Sequence, residues 1–328
     1  MGLGVVCREL SGIGQLKLEE VPRQPVGSGE VRIETYAAGV NFPDVLTAAG
    51  RYQIRPELPF VVGMEAAGVI TEIGSGVTRR QVGQQVMCWA WNGCFAEDVV
   101  VPEGNTLPMP SDFTFAQGAA FMIATSTATN GLLQRARLGA GEVLLVHAAG
   151  SGVGLAAVEV GKLLGARVIA TASEDAKLAL AHRRGADALI DYTQLDFREE
   201  VLRLTDNAGA DVVFDIVGGD VFDESLRCTA WGGRVLVVGF ASGKISQLPV
   251  NHALLKCVSV VGVRALEHTH RKPEEGEAYR RQMLEWVGQG HLRPEITEVL
   301  PLPNFLEALF KVKERSARGR IVLKIRDA

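Results

Sequence analysis

The sequence predicts an α/β chain built of a β-rich module followed by a doubly wound parallel layer. Three observations predict it. Short alternating apolar and polar runs, broken by Gly and Pro, fill the chain up to about residue 120. From residue 143 onward, β-branched runs alternate with helical patterns. The first of those runs, Val143 to Val146, leads into a glycine turn and then a helical segment.

In the β-rich part, Leu16 to Val21 and Glu30 to Tyr36 alternate with the period of half-buried strands, as do Val69 to Ile73 and Ala96 to Val101. Pro22, Pro25, Gly27, Gly74, Gly83, Pro102 and Pro108 punctuate them. Many short strands with dense turns argue for a closed or partly closed antiparallel module. Within it, Asn41, Asp44, Tyr52 and Glu65 stand near glycine turns. That makes them candidates for a site, with a turn-rich structural loop as the equal alternative. Phe113 to Leu138 is rich in Ala and Thr and reads as one or two helices leading onward.

The glycine turn carries the functional argument. Gly150, Gly152 and Gly154 fall within five residues, and Leu155, Val158, Leu163 and Leu164 follow at helical spacing. A strand, a glycine turn and a helix in that order form a place for a dinucleotide pyrophosphate, because the helix N-terminus presents N–H groups and partial positive charge. The spacing is G-S-G-V-G rather than G-x-G-x-x-G, so the context supports this reading more than the motif does. Further strands are expected at 167–171, 188–190, 211–217, 234–238 and 258–263, with helices at 174–184 and 221–228. Six strands with intervening helices fit a doubly wound dinucleotide fold. His268 and His270 sit in a polar stretch that reads as a solvated loop, followed by helices at 279–287 and 301–313. A terminal strand at 321–325 is expected to rejoin the β-rich domain. The expected domains are therefore 1–122 with 265–328, and 123–264.

Composition sets the bounds. The chain has 328 residues, 47% of them hydrophobic, and a net charge of −4, which gives no electrostatic reason to expect nucleic acid or an acidic membrane as partner. No apolar run reaches membrane-spanning length, and MGLGVVCREL lacks a basic region before an apolar core, so the cytoplasm is the expected location. The five cysteines are scattered without a C-x-x-C pair, which suggests neither a disulfide framework nor a structural zinc site. Cys88 and Cys94 read as buried small hydrophobes.

The cofactor can be specified further. An acid about 20 residues past the turn normally binds the ribose 2′-OH of NAD. Here the second strand ends at Thr171, followed by Ala172 and Ser173, with Glu174 and Asp175 just beyond. Ser173, Lys177 and Tyr192 offer a hydroxyl, a cation and a phenol, which suit a 2′-phosphate and point to NADPH.

The motifs GVNFPD (39–44), GRYQ (50–53), LPFVVGMEAAGVI (58–70), AAGSGVG (148–154) and GGRVLVVGFASG (232–243) resemble those of the medium-chain dehydrogenase/reductase superfamily. Within it they resemble the zinc-free NADPH:quinone oxidoreductase branch that includes zeta-crystallin. The resemblance covers nearly the whole chain. It implies a GroES-like β-rich catalytic domain plus a Rossmann domain, with the active site in the cleft between them. It matches Gly150, Ser151, Gly152 and Val153 to the cofactor phosphates, and Ser173, Lys177 and Tyr192 to the 2′-phosphate pocket. Thr127 matches a threonine at the nicotinamide, and Phe240, Ser242 and Arg264 match positions near the pyrophosphate and nicotinamide. Asn41 and Tyr52 match residues lining the acceptor pocket.

Zinc alcohol dehydrogenases of the superfamily place Cys and His where Asn41 and Met64 stand, and amide and thioether are poor Zn²⁺ ligands. A metal-free site suits acceptors that are already electron-poor, such as a quinone or a conjugated carbonyl. The leading expectation is an NADPH:quinone reductase. An enoyl or alkenal reductase, with Tyr52 as the visible proton donor, is the nearby alternative, and a non-catalytic NADPH-binding protein comes from a different class. The resemblance also implies a homodimer pairing through the sheet edge at Val258 to Val263.

Overall fold

The computed structural model describes residues 1–327. Two compact units emerge: Met1–Ile123 with the segment from Pro294 onward, and Ala124–Arg293. The sequence reading returned the chain to the first unit at 265. The structure instead keeps 265–293 with the second, where Gln134 Nε2 donates to the Glu275 carbonyl at 2.8 Å and Ser126 Oγ lies 3.9 Å from Met283 Sδ.

In chain order the first unit has β1 (Gly2–Cys7), β2 (Lys17–Val21), β3 (Glu30–Gly39) and α1 (Phe42–Ala48). Next come β4 (Phe60–Val61), β5 (Glu65–Ile73), β6 (Gln85–Trp89), β7 (Asp98–Pro102), β8 (Thr106–Pro108) and α2 (Phe115–Ala119). The helix α3 (Met122–Thr129) follows and runs into a π-helical turn, Asn130–Arg135. The second unit has β9 (Val143–Val146), α4 (Gly152–Leu163), β10 (Arg167–Ala172), α5 (Asp175–Arg183), β11 (Ala188–Asp191) and α6 (Phe197–Leu204). It continues with β12 (Ala210–Asp215), α7 (Asp220–Cys228), β13 (Thr229–Val237), α8 (Val250–Lys256), β14 (Ser259–Gly262), α9 (Ala265–Arg271) and α10 (Pro273–Gly288). The chain closes with β15 (Ile296–Pro301), α11 (Phe305–Lys313) and β16 (Arg320–Lys324) in the first unit.

The first unit folds around β3. Its first half pairs with β7, its second half with β16, and its whole length with β5 on the other edge. The larger sheet runs β15-β16-β3-β5-β6-β8, and a small sheet β2-β1-β4 lies apart from it. Val5, Ile33, Ile70, Phe95, Leu309 and Leu323 belong to one core cluster there. That core draws on both ends of the chain because β16 is seated on β3.

In the second unit all six strands are parallel, in the order β11-β10-β9-β12-β13-β14. This is the doubly wound order 3-2-1-4-5-6, whose strand order reverses between the first and fourth strands, here β9 and β12. Parallel strands are buried on both faces, so Leu144, Leu145, Val146, Val212, Val213 and Phe214 are all fully enclosed.

Several elements differ from the sequence reading. Phe113 to Leu138 resolves into α2, α3 and the π-helical turn. The polar stretch around His268 is helix α9 rather than a loop, and His268 Nε2 lies 2.9 Å from Glu275 Oε2 on α10. Asn41 to Asp44 opens α1 with a capping box and a proline in the first turn, where a turn-rich loop was the alternative. Among the described residues no helix is long and apolar enough to cross a membrane.

Candidate functional site

Ten of the expected cofactor residues lie along one edge of the parallel sheet. The turn 147–151 follows β9, Ser173 follows β10, Tyr192 follows β11, and Phe240 and Ser242 follow β13. Arg264 follows β14 as the residue before α9, and Gly152 and Val153 open α4. Lys177 sits in the first turn of α5. In a parallel sheet these are the carboxyl ends of the strands, where open α/β folds bind ligands.

The turn is tightly built. Ala148 takes a left-handed conformation at φ 49°. Ser151 caps α4 by accepting the Gly154 N–H at 3.1 Å. A Cβ on Gly154 would lie 2.3 Å from the Ala148 carbonyl oxygen, and one on Gly150 would lie 2.4 Å from Lys177 Cβ. Only glycine lets the turn close on itself and lets α5 lie against it. That contact sets the stem of Lys177 beside the phosphate-type turn. Lys177 Nζ lies 3.4 Å from Glu174 Oε1, so the cation has an acidic neighbour on its own helix. The Tyr192 N–H donates to the Ala172 carbonyl at 3.2 Å, which places the residue after β11 beside the end of β10, next to Ser173.

On the other side of the strand reversal, Asp215 holds a two-glycine turn. Its Oδ1 accepts the N–H groups of Val217 and Gly218 at 2.8 and 2.9 Å. Gly218 and Gly219 both have positive φ, 69° and 59°, and a Cβ on Gly218 would meet Phe240 Cδ1 at 2.9 Å. The Ala241 and Ser242 N–H groups donate to Ile216 and Val217, so the Phe240–Ser242 loop lies against the end of β12. Sequence reasoning passed over Asp215, Gly218 and Gly219, although Asp-x-x-Gly-Gly after a strand is a recognisable turn signal. It also passed over His147, which is buried at the end of β9. Its Nδ1 is 3.0 Å from Thr171 Oγ1 and its Nε2 is 2.8 Å from Ser225 Oγ, and burial lowers its pKa below the usual histidine value. Thr127 is partly buried on α3 in the second unit.

In the first unit, Asn41 is 4% exposed and its amide is committed inside the protein. Nδ2 donates to Glu65 Oε1 at 2.8 Å and to the Gly39 carbonyl at 3.3 Å, and Oδ1 accepts from Arg320 Nη1 at 2.8 Å. Asn41, which the family resemblance matches to the acceptor pocket, has its amide bonded to a buried carboxylate and a buried guanidinium. The physical reason is Glu65, which is fully enclosed and needs donors. Glu65 takes them from Asn41, from the Ile123 N–H at 2.9 Å and from Arg320 Nη2 at 3.3 Å. Arg320 also caps the Ala120 carbonyl through Nε and Nη2.

Asp44 Oδ2 accepts the Asn41 N–H at 2.7 Å, while Oδ1 has no hydrogen-bond partner among the described residues. Burial raises the Asp44 pKa to about 8, the Asn41 N–H opposes that rise, and the Glu65 charge adds to it. Burial also raises the Glu65 pKa, with the Arg320 charge opposing it. Both carboxyls are therefore held above their ordinary values inside the enclosed set, with Arg320 Nη2 3.3 Å from Glu65 Oε1. Tyr52 is partly buried in the bend after α1, four residues past Ala48. Cys88 and Cys94 are both fully buried. Among the described residues no three of His, Cys, Asp and Glu are grouped so as to hold a metal ion.

Comparison with known proteins adds lineage. Residues 152–283 match the family described as zinc-binding dehydrogenase, and residues 27–111 match the alcohol dehydrogenase GroES-like domain. The chain is 37% identical to a quinone oxidoreductase-like protein 2 homolog of Nematostella vectensis, covering 97% of this chain and 88% of that one. Its structure is similar to a quinone oxidoreductase of Pseudomonas syringae pv. tomato, with TM-score 0.92 and 30% identity over 99% of this chain and 100% of that chain. It is equally similar, at TM-score 0.92 and 31% identity, to a mycobacterial protein solved in complex with NADPH, covering 98% and 100% of the two chains.

Proposed function

Because the chain belongs to the medium-chain dehydrogenase/reductase family, in its quinone oxidoreductase branch, we propose that it is an NADPH-dependent quinone oxidoreductase that works without a metal. The observation that carries the cofactor half is the gathering of Gly150, Ser173, Lys177 and Tyr192 at the carboxyl ends of β9, β10 and β11. The residues fit the cofactor. Gly150 and Gly154 leave no room for a side chain in the turn, and the first N–H groups of α4 have no partner within the helix. Bound there, NADPH would supply a hydride from the nicotinamide C4. Gly150 to Val153 would hold the pyrophosphate, and Ser173, Lys177 and Tyr192 the 2′-phosphate. Thr127, Phe240, Ser242 and Arg264 would hold the remainder of the cofactor, as the family resemblance implies. Tyr52 would donate a hydrogen bond to the acceptor oxygen.

The metal-free half rests on donor chemistry. The positions that carry Cys and His in zinc relatives are Asn41 and Met64 here. The Asn41 amide is taken up by Glu65, Gly39 and Arg320, and Met64 is 2% exposed. This set does not fit a catalytic zinc, which needs three N, S or O ligands and an open position.

The test is NADPH oxidation against ortho- and para-quinones, enones and enoyl thioesters, with NADH in parallel. Turnover of quinones with NADPH preferred is expected. Turnover confined to conjugated C=C acceptors would replace the reading with an enoyl reductase. Tight NADPH binding with no turnover would overturn both. Stoichiometric Zn²⁺ binding that raised activity would overturn the metal-free half.

We propose a homodimer on separate grounds. β14 is the end strand of its sheet, with one edge unpaired by any strand among the described residues, and the preceding α8 leaves Val250 and Leu254 76% and 78% exposed. Light scattering should give twice the 35.2 kDa chain mass, and a lysine at Val260 should return it to one chain.

A further inference from the structure

The helical layer formed by α6, α7 and α8 holds a solvent-open cavity of about 270 Å³, and none of its lining residues belongs to the cofactor turn. Arg198 and Leu202 line it from α6, Arg227 from the end of α7, and His252, Leu255 and Lys256 from α8. The α6 pair is spaced i, i+4 and the α8 set i, i+3, i+4, so each helix turns one stripe toward the cavity.

Two guanidinium groups and an ammonium meet there with one carboxylate among them. Glu224 Oε2 accepts from Arg198 Nη1 at 3.2 Å, and its Oε1 accepts from Arg227 Nη1 at 2.8 Å. Lys256 Nζ donates to two neutral carbonyls, of Arg227 at 2.5 Å and Thr229 at 3.0 Å, which leaves its charge unbalanced. Burial, and then the like charge of Arg198, hold Lys256 below the ordinary lysine pKa, while Cys228 opposes the shift. Beside these cations Leu255 is 68% exposed, an apolar surface uncovered among the described residues.

We propose that this cavity binds a small amphipathic carboxylate, with its head group between Arg198 and Arg227 and its short alkyl chain over Leu202 and Leu255. A planar carboxylate matches guanidinium forks that each give only one N–H to Glu224. The leucines account for selection of an apolar body over a bare ion. Glu224 is the competitor that the ligand must share the arginines with.

The test is calorimetric titration of the full-length protein with hexanoate, using acetate and hexyltrimethylammonium as comparison probes. Saturable one-site binding of hexanoate is expected, at least ~10-fold tighter than acetate from the added methylenes. The cation should not bind. The double variant Arg198→Gln, Arg227→Gln should weaken hexanoate by at least ~10-fold with an unchanged melting temperature. Glu224→Gln should tighten it several-fold, a gain that loss of folding could not produce. Hexanoate binding that is unsaturable, that survives the double variant, that is matched by hexyltrimethylammonium, or that is unimproved by Glu224→Gln would overturn the proposal.

Discussion

Asn41 donates its amide to Glu65 Oε1 at 2.8 Å, and Glu65 is fully enclosed at the start of β5. The two residues tie the N-terminus of α1 to the sheet, and Arg320 on β16 closes the set from the far end of the chain. Replacing Asn41 by Ala removes a donor from a buried carboxylate and an acceptor from a buried guanidinium. A loss of about 1–3 kcal/mol in urea unfolding is expected. Quinone KM should stay close to wild type while the variant is folded. A KM that rises sharply with stability intact would return Asn41 to the acceptor.

Asp44 makes the same enclosed set sensitive to pH. Its pKa in the fold is raised to about 8, from an ordinary aspartate value of 3.8. The folded chain therefore holds a proton that the unfolded chain has released. The stability contributed by protonated Asp44 is fully present below about pH 4 and is lost as pH rises toward 8. Asp44→Asn carries a permanent N–H₂ in place of that proton and keeps an oxygen for the Asn41 N–H. It should gain stability over wild type as pH rises, on the order of 1 kcal/mol or more between pH 5 and pH 8. Urea midpoints at the two pH values measure this, and a pH-independent difference would show that Asp44 is ionised in the fold.

The parallel sheet was legible in the sequence because both its faces are covered. Val143 to Val146 and Asp211 to Phe214 are apolar runs for that reason, and the glycine turn between β9 and α4 marks their carboxyl edge. Other elements left weaker traces. α8 buries none of its residues, so no buried apolar stripe announces it. α6 has a signal that was passed over, Asp196 capping at Arg198 and Glu199 ahead of Phe197, Val201 and Leu204. Arg320 could not be joined to Asn41 and Glu65 by any local rule. It lies 279 residues from Asn41, and only the seating of β16 on β3 brings them together. Glu174 was read by its place after the second strand, but its ion pair with Lys177 depends on the side-chain geometry of α5.

Gly150 tests the turn independently of the acceptor. A Cβ there would lie 2.4 Å from Lys177 Cβ and 2.9 Å from its Cα, so α5 or the turn must move. Gly150→Ala should lower stability by about 1–3 kcal/mol. It should also weaken NADPH and NADH together, at least ~10-fold, because the pyrophosphate is common to both. Fluorescence titration with each nucleotide separates the outcomes. Loss of NADPH alone would move the 2′-phosphate, rather than the pyrophosphate, onto this turn.

If Lys177 receives the 2′-phosphate as we propose, Lys177 and Glu174 together would set the nucleotide preference. Their side chains are 14% and 33% exposed and 3.4 Å apart, so each modifies what the other offers a ribose. A 2′-phosphate would gain from the ammonium and be opposed by the carboxylate. Lys177→Ala should therefore weaken NADPH by about 10–100-fold, the range of a charge-assisted hydrogen bond, and change NADH by less than ~2-fold. Glu174→Gln removes the opposing charge and should tighten NADPH several-fold, with NADH unchanged. Equal losses for both nucleotides in Lys177→Ala would remove that residue from the 2′-phosphate. If Glu174→Gln weakened NADH instead, Glu174 would be the acid that receives the ribose hydroxyl, and the preference for NADPH would reverse.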